Sequence, residues 1–326
     1  MKAVWYDRQG PARDVLQFGD RPTPGAGPGE VRVKLAASAV NYTDCYRRGG
    51  GRYGQEFPLI IPNSDGAGTV DQVGAGVSPM LLGKRIWLYN GQRFRPFGTA
   101  AEYIALAEDL VTELPDSVGF AEGATLGTPC MTAHLSVFSA GPVNGKTLLV
   151  TGGAGAVGNY AIQLAKWAGA LVVATASTPE KTIEAQAAGA DLVVNYRGED
   201  VVARVLDFTR GEGVDHVVEV DFGGNLDAAL NSLKANGSIA FYASRGDEVP
   251  RLQVRKLIQR NVTLRAVGLP HARARERRAA QEGISQWLRS ATPRFMLAAQ
   301  FALSETAAAH EAVERNDKRG TVIVTL

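Results

Sequence analysis

The stretch Thr147-Leu148-Leu149-Val150-Thr151-Gly152-Gly153-Ala154-Gly155-Ala156-Val157-Gly158 decides the fold. A short apolar run enters a glycine-rich turn. Gly153, Gly155 and Gly158 fit G-x-G-x-x-G, and Gly152, Gly155 and Gly158 fit G-x-x-G-x-x-G. Glycine lets the chain turn sharply from strand into helix. It also lets the backbone approach a pyrophosphate, whose charge then meets the helix N-terminus. A lone match of this kind says little. Here an amphipathic helix pattern follows at Asn159–Ala168, and a second apolar strand, Leu171–Ala176, arrives on schedule. The alternative reading is a tight turn without a ligand, and the βαβ setting weighs against it.

Further along, the chain keeps alternating. Helix patterns at Pro179–Ala188 and Asp200–Phe208 separate strands at Asp191–Asn195 and Asp215–Val220. Strands at Ser238–Ala243 and Val262–Val267 follow, with helices between them. Near-continuous apolar strands alternating with helices predict a doubly wound parallel sheet covered on both faces, a Rossmann-type α/β domain. The tail reads as helices near Glu276–Arg289 and Glu305–Arg315 and a last strand, Thr321–Leu326.

The first ~120 residues have a different texture. Glu30–Val40, Gly66–Gly74, Arg85–Tyr89 and Ala100–Leu106 read as strands, separated by Gly and Pro clusters such as Pro22–Gly29. That pattern predicts a compact, mostly β domain. Phe120–Phe138 reads as the helix that follows it.

The dinucleotide's identity is written at the end of the second strand. An NAD site places an acid there for the ribose 2′-OH. Here the strand ends Ala174-Thr175-Ala176-Ser177-Thr178. Ser177 is small and polar, Lys181 lies one helical turn on, and Tyr196 and Arg197 follow the third strand. Hydroxyls and cations suit a 2′-phosphate, which a carboxylate would repel. The cofactor expected is NADPH. The opposing reading makes Lys181 a solvated helix cation, with Glu180 beside it.

Composition bounds the remaining classes. At 326 residues, 45% hydrophobic and 21% charged, the chain is long enough for two ordinary globular domains. A net charge of +2 is too small to imply a nucleic-acid or membrane partner. Two cysteines, Cys45 and Cys130, exclude a disulfide framework and a multi-cysteine metal lobe. A reducing, cytoplasmic setting is expected. No run approaches the ~18 apolar residues of a membrane span.

Other segments carry a resemblance. Asn41-Tyr42-Thr43-Asp44-Cys45-Tyr46, followed by Arg48-Gly49-Gly50, looks like N-x-x-[DE]-x-Y-x-R-x-G. Asp65-Gly66-Ala67-Gly68-Thr69-Val70 and Gly127-Thr128-Pro129-Cys130-Met131-Thr132-Ala133 add two further matches. In their order and spacing the chain resembles the quinone oxidoreductase (zeta-crystallin-like) family of medium-chain dehydrogenase/reductases. The resemblance implies a GroES-like substrate domain from residues 1–123 completed by 269–326. It implies a Rossmann domain from 124–268, and dimers formed through that domain's edge strand, here Val262–Val267. It also implies that Thr132 holds the carboxamide end of the nicotinamide.

Zinc is where the sequence departs from the alcohol dehydrogenase relatives. Asn41 takes the place of their first cysteine ligand, and Asn63-Ser64-Asp65 stands where a His–Glu pair would be. Amides and hydroxyls are poor zinc ligands. Without that Lewis acid, alcohol oxidation near neutral pH is difficult, so reduction of an activated acceptor is expected.

The sequence reading is therefore a zinc-independent enzyme passing hydride from NADPH to a quinone or related conjugated carbonyl. Tyr46 and Asn41 would donate to the acceptor oxygen as it gains charge. Gly152, Gly153, Gly155, Ala156, Val157 and Gly158 would bind the pyrophosphate, and Ser177, Lys181, Tyr196 and Arg197 the 2′-phosphate. Two alternatives stay open. One is an enone, enoyl-thioester or halogenated-acrylate reductase on the same scaffold. The other is a non-catalytic NADPH- or RNA-binding protein. His134, His216, His271 and His310 are scattered and read as ordinary packing histidines. The basic run His271–Arg278 reads as the solvated start of a helix.

Overall fold

In a computed structural model, described for residues 1–50, 54–245, 248–315 and 319–326, the chain forms two units. One comprises Met1–Thr128 with Phe295–Leu326, the other Pro129–Arg294.

The second unit is built on six parallel strands. Their spatial order is Leu192–Asn195, Leu171–Ala176, Thr147–Val150, Val214–Glu219, Leu233–Phe241 and Thr263–Ala266. Numbered within the unit this is 3-2-1-4-5-6, the Rossmann order, with its switch point at Thr147–Val150. Leu149, Val173, Val194, Val217 and Ile239 fill one core cluster. Each such side chain, fully buried, contributes about 1.5–3 kcal/mol. The helix Ala156–Trp167 buries Tyr160, Ala161, Ile162, Leu164 and Ala165. The long helix Ala274–Ser290 also belongs to this unit, although the sequence reading gave everything beyond 268 to the first domain. Trp287 meets Tyr160 edge-on with ring centroids 6.0 Å apart, and Trp167 Nε1 donates to Ser290 Oγ at 3.0 Å.

The first unit centres on the strand Glu30–Val40. It pairs antiparallel with Asp65–Val73, Tyr103–Ala107 and Thr321–Thr325 in a seven-stranded sheet. Val31, Val33, Leu35, Ile86, Leu88, Ile104 and Leu106 form a core on this sheet. The edge strand Leu297–Ala302 had no sequence signal. Its alanines carry little strand preference, and parallel pairing with Thr321–Thr325 imposes the conformation.

Two local findings position the site. Residues Tyr42–Gly49 form a helix that ends where Gly50 turns to φ +80°. The expected helix 120–138 is in fact interrupted. Short turns at Phe120–Gly123 and Ala124–Leu126 precede Gly127, and a regular helix runs only from Thr128 to Val137. At the break the Thr128 N–H donates to Asp65 Oδ2 at 2.7 Å instead of to a helix carbonyl, and only a glycine fits at 127, where a Cβ would overlap that carboxylate. Among the described residues no helix is long and apolar enough to cross a membrane.

Candidate active site

In the second unit, the turn 152–158 is fastened to the strand beside it. Gly152 N donates to Thr175 Oγ1 at 3.0 Å and Gly153 N to the Thr175 carbonyl at 2.9 Å. Gly152 sits at φ +66°, in the left-handed region that favours glycine. A Cβ on Gly158 would overlap the backbone of Gly152, so the helix packs directly on the turn. Gly155 differs. Its φ is −77° and a Cβ there would meet only the Gly152 carbonyl, at 3.2 Å. Gly155 is the N-cap of Ala156–Trp167 and provides no side-chain cap. The first-turn N–H groups of Ala156, Val157 and Gly158 have no carbonyl within the helix to donate to, an arrangement that suits an anion.

Buried Glu219, not singled out by sequence, supports this turn. Its Oε1 accepts from Thr151 Oγ1 at 2.9 Å, Asp221 N at 2.6 Å and Asn225 Nδ2 at 2.8 Å. Burial raises its pKa above the ordinary carboxylate range, despite those three donors.

The 2′-phosphate candidates come together through strand register. Asn195 pairs with Ala176, and Tyr196 N donates to the Ala176 carbonyl at 3.1 Å. Tyr196 and Ser177 therefore follow the C-terminal ends of adjacent strands. Ser177 is buried and Tyr196 exposed. Thr178 caps the helix Pro179–Ala187 by accepting from Lys181 N at 3.3 Å, which sets Lys181 in its first turn. Among the described residues, neither Lys181 nor Arg197 has an acidic ion-pair partner. Thr132 is buried on the helix Thr128–Val137.

In the first unit, Asn41 and Tyr46 share the helix Tyr42–Gly49 and its N-cap. Both are half-buried. Tyr46 stacks on Tyr42 with centroids 6.4 Å apart, and Arg47 Nη1 ties the helix to the loop 90–98 by donating to Gln92 Oε1 at 2.7 Å. Asn41 is held twice. Its backbone N donates to Asp44 Oδ2 at 2.8 Å, and its Nδ2 donates to Asp65 Oδ2 at 2.7 Å. Asp65 also accepts from Thr128 N at 2.7 Å and Thr128 Oγ1 at 2.9 Å, and Asp44 from Ser64 Oγ at 3.1 Å.

Asp44, Asp65, Ser64 and Thr128 were missed as a set. Asp65 and Thr128 lie 63 positions apart, and only the sheet brings them together. Burial lifts Asp44 to about 6. Burial and the neighbouring Asp44 charge lift Asp65 to about 7. Both therefore hold their protons to higher pH than an exposed aspartate does.

The histidines behave as the sequence suggested in two cases. His134 packs on Phe138 with centroids 4.6 Å apart. His216 is buried between Ser238 Oγ at 2.7 Å and the Ser136 carbonyl at 2.9 Å.

Comparison with known proteins places this pair of units. Residues 27–116 match the alcohol dehydrogenase GroES-like domain, and residues 156–285 the zinc-binding dehydrogenase domain. A quinone oxidoreductase of Pseudomonas aeruginosa is 27% identical, over 95% of both chains. A trans-enoyl reductase of Aspergillus flavipes is 33% identical, over 67% of both. A mycobacterial protein solved in complex with NADPH superposes over 100% of both chains, with a TM-score of 0.86 at 29% identity. The chain belongs to the quinone oxidoreductase type of the medium-chain dehydrogenase/reductase family.

The matched domain's name implies zinc, and the residues present do not fit it. Asn41, Asn63 and Ser64 are weak donors for that metal. The Asp65 carboxylate already accepts three hydrogen bonds. Among the described residues no group of three His, Cys, Asp or Glu side chains could hold a metal.

Proposed function

We infer that this chain is an NADPH-dependent oxidoreductase that reduces a quinone or a related conjugated carbonyl. The observation that carries the reading is the lock between Asn41 and Asp65. Where metal-using relatives would place a thiolate, this unit presents an amide whose orientation is fixed by a buried carboxylate. One hydrogen of Asn41 Nδ2 is spent on Asp65. The second remains for an acceptor oxygen that gains charge, and the half-buried Tyr46 hydroxyl is the other donor assigned to that oxygen.

NADPH, when bound, supplies the hydride. The turn 152–158 holds its pyrophosphate through backbone N–H groups. Ser177, Lys181, Tyr196 and Arg197 hold the 2′-phosphate, and Thr132 holds the nicotinamide carboxamide. The acceptor takes up one hydride and one proton, the proton coming from Tyr46 or water. The NADPH complex of the mycobacterial relative supports this cofactor. The trans-enoyl reductase relative keeps reduction of a conjugated double bond as the second reading.

The test is NADPH oxidation against a panel of quinones, enones, acrylates and acyl-thioesters. Turnover is expected with quinones or enones. Exclusive turnover of acyl-thioesters or acrylates would select the second reading. NADPH binding without turnover of any acceptor would overturn both.

We further propose a homodimer formed through the edge strand Thr263–Ala266, in a cytoplasmic setting. Among the described residues, that strand has a sheet neighbour on one side only. Val254 and Ile258 stand exposed on the adjoining helix, an apolar surface that pairing of two copies would cover. Light scattering that gives a monomer at micromolar concentration would remove the dimer. Two buried thiols not joined in a disulfide suit a reducing compartment.

A further inference from the structure

His310 read as an ordinary helix residue among alanines. In the first unit it instead begins a chain of hydrogen bonds that ends on the backbone of Asp65. Every side chain in it is buried. His310 Nε2 lies 2.9 Å from Asn63 Oδ1, and Asn63 Nδ2 lies 3.0 Å from Ser38 Oγ. Ser38 Oγ lies 2.8 Å from Thr99 Oγ1, which lies 2.8 Å from the Asp65 carbonyl.

The far end fixes the direction of every link. A carbonyl only accepts, so Thr99 spends its one hydroxyl hydrogen on Asp65. Ser38 must then donate to Thr99, and toward Asn63 it can only accept. Asn63 therefore turns its NH2 to Ser38 and its oxygen to His310. That oxygen requires a hydrogen on Nε2. Reversing the Asn63 amide would leave the Ser38 and Thr99 oxygens facing each other with no hydrogen between them. The bare Nδ1 faces Cys45 Sγ at 3.6 Å.

The link at Asn63 matters most. Asn63 has φ +71°, a left-handed backbone that a non-glycine residue holds only when its surroundings demand it. The next two residues, Ser64 and Asp65, hold Asp44 and Asn41. We infer that His310 is a positioning residue for the reduction: an Nε2–H imidazole that fixes Asn63 and, through it, the Ser64–Asp65 step that orients the Asn41 amide. Burial, reinforced by the Arg48 charge, holds its pKa down at about 3, so the imidazole stays neutral and the chain stays intact across the working range. The inference rests on the assignment of Asn41 and Tyr46 to the acceptor.

Two measurements test it. Long-range proton–nitrogen NMR of histidine-labelled protein should show, besides the buried His216, an Nε2–H imidazole that does not titrate between about pH 5 and about pH 8 and that disappears in His310→Gln. If the signal lost in His310→Gln has a protonated Nδ1, or titrates in that range, the inference is overturned. In kinetics, His310→Leu should lower kcat ~10- to 100-fold with NADPH affinity unchanged, because the amide loses its fixed orientation. His310→Gln carries an N–H near the Nε2 position and should recover most of the loss, whereas His310→Asn should not. Equal kcat in His310→Gln and His310→Asn overturns the inference, and this pair decides if the leucine variant fails to fold. Asn41→Ala is measured alongside. Unchanged turnover in Asn41→Ala brings down the acceptor assignment. A slow Asn41→Ala with a fully active His310→Leu brings down only the positioning role.

Discussion

The proposed phosphate turn of the second unit and the proposed acceptor cluster of the first are built by opposite means. The turn is contiguous and made of backbone. Its shape depends on side chains that are missing, at Gly152, Gly153, Gly155 and Gly158. The cluster is made of side chains from three separate stretches, Asn41–Asp44, Ser64–Asp65 and Thr128, joined to the buried chain of Asn63, Ser38, Thr99 and His310. Its geometry depends on sheet register and on buried hydrogen bonds. A backbone site should therefore fail abruptly when a Cβ is added. A side-chain site should fail in steps, one donor at a time.

The largest effect should fall on the turn. Gly158→Val forces side-chain atoms into the Gly152 backbone, and NADPH binding should weaken by ~1,000-fold or more, equivalent to ~4 kcal/mol. Its melting temperature should fall as well, since overpacking costs ~1–3 kcal/mol. Gly155→Val has only the Gly152 carbonyl to meet, so it should lose NADPH binding while melting near the unmodified protein. Fluorescence titration and thermal unfolding of both variants separate the two cases. Tight NADPH binding by Gly155→Val would show that the turn does not hold the pyrophosphate.

Next comes the acceptor side. Tyr46→Phe should keep NADPH affinity and lower turnover by ~100- to 1,000-fold, the ~2.7–4 kcal/mol that one charge-stabilising donor supplies. Asn41→Ala should act the same way but more mildly. If turnover with the best acceptor is unchanged in Tyr46→Phe, the tyrosine is only packing against Tyr42.

A smaller effect distinguishes the cofactors. Hydrogen bonds to a charged group contribute ~1.5–3 kcal/mol, so Lys181→Ala should cost NADPH ~10-fold or more in affinity while sparing NADH. Ser177→Asp should go further by repelling the 2′-phosphate. Raised salt should weaken NADPH more than NADH, because Lys181 and Tyr196 are partly or fully exposed. Equal kcat/KM for the two cofactors in the unmodified protein would overturn the roles of all four residues.

The remaining effect is on stability, not on binding or turnover, and concerns pH. Asp44 and Asp65 are held above their ordinary 3.8 by burial, so the folded chain keeps protons that the unfolded chain has released. That contribution is complete below 3.8 and is lost as pH rises through about 6 and about 7. Denaturant unfolding should therefore show stability falling by ~1–3 kcal/mol from about pH 5 to about pH 8. Asp44→Asn should flatten the slope. An unchanged slope in that variant would locate the titration elsewhere.

These two regions also differ in how far they could be read in advance. The turn, its flanking strands and the acid-free end Ala176–Thr178 were legible, because each depends on neighbours in sequence. Asn41 and Tyr46 were legible only through a motif. What holds Asn41 was not, because Asp65 meets it across the pairing of Glu30–Val40 with Asp65–Val73, and Thr128 joins Asp65 from a distant stretch. The helix break at Gly127 was hidden for the same reason. A glycine amid helix formers betrays nothing until the Asp65 carboxylate is known to lie against it.

Sequence alone determined the parallel-sheet unit, its phosphate turn and the charge logic that favours NADPH. Glycine spacing, apolar runs and the absence of an acid are local properties, and local chemistry is enough to fix them. Tertiary structure alone decided that the helix Ala274–Ser290 joins the second unit, that Leu297–Ala302 is a strand, and that His310 belongs to a chain ending at Asp65. Those outcomes depend on which buried polar groups find partners. A buried donor or acceptor left unpaired costs ~1–3 kcal/mol, and the partner that prevents that cost can lie hundreds of residues away. His310 and Asn63 are 247 positions apart.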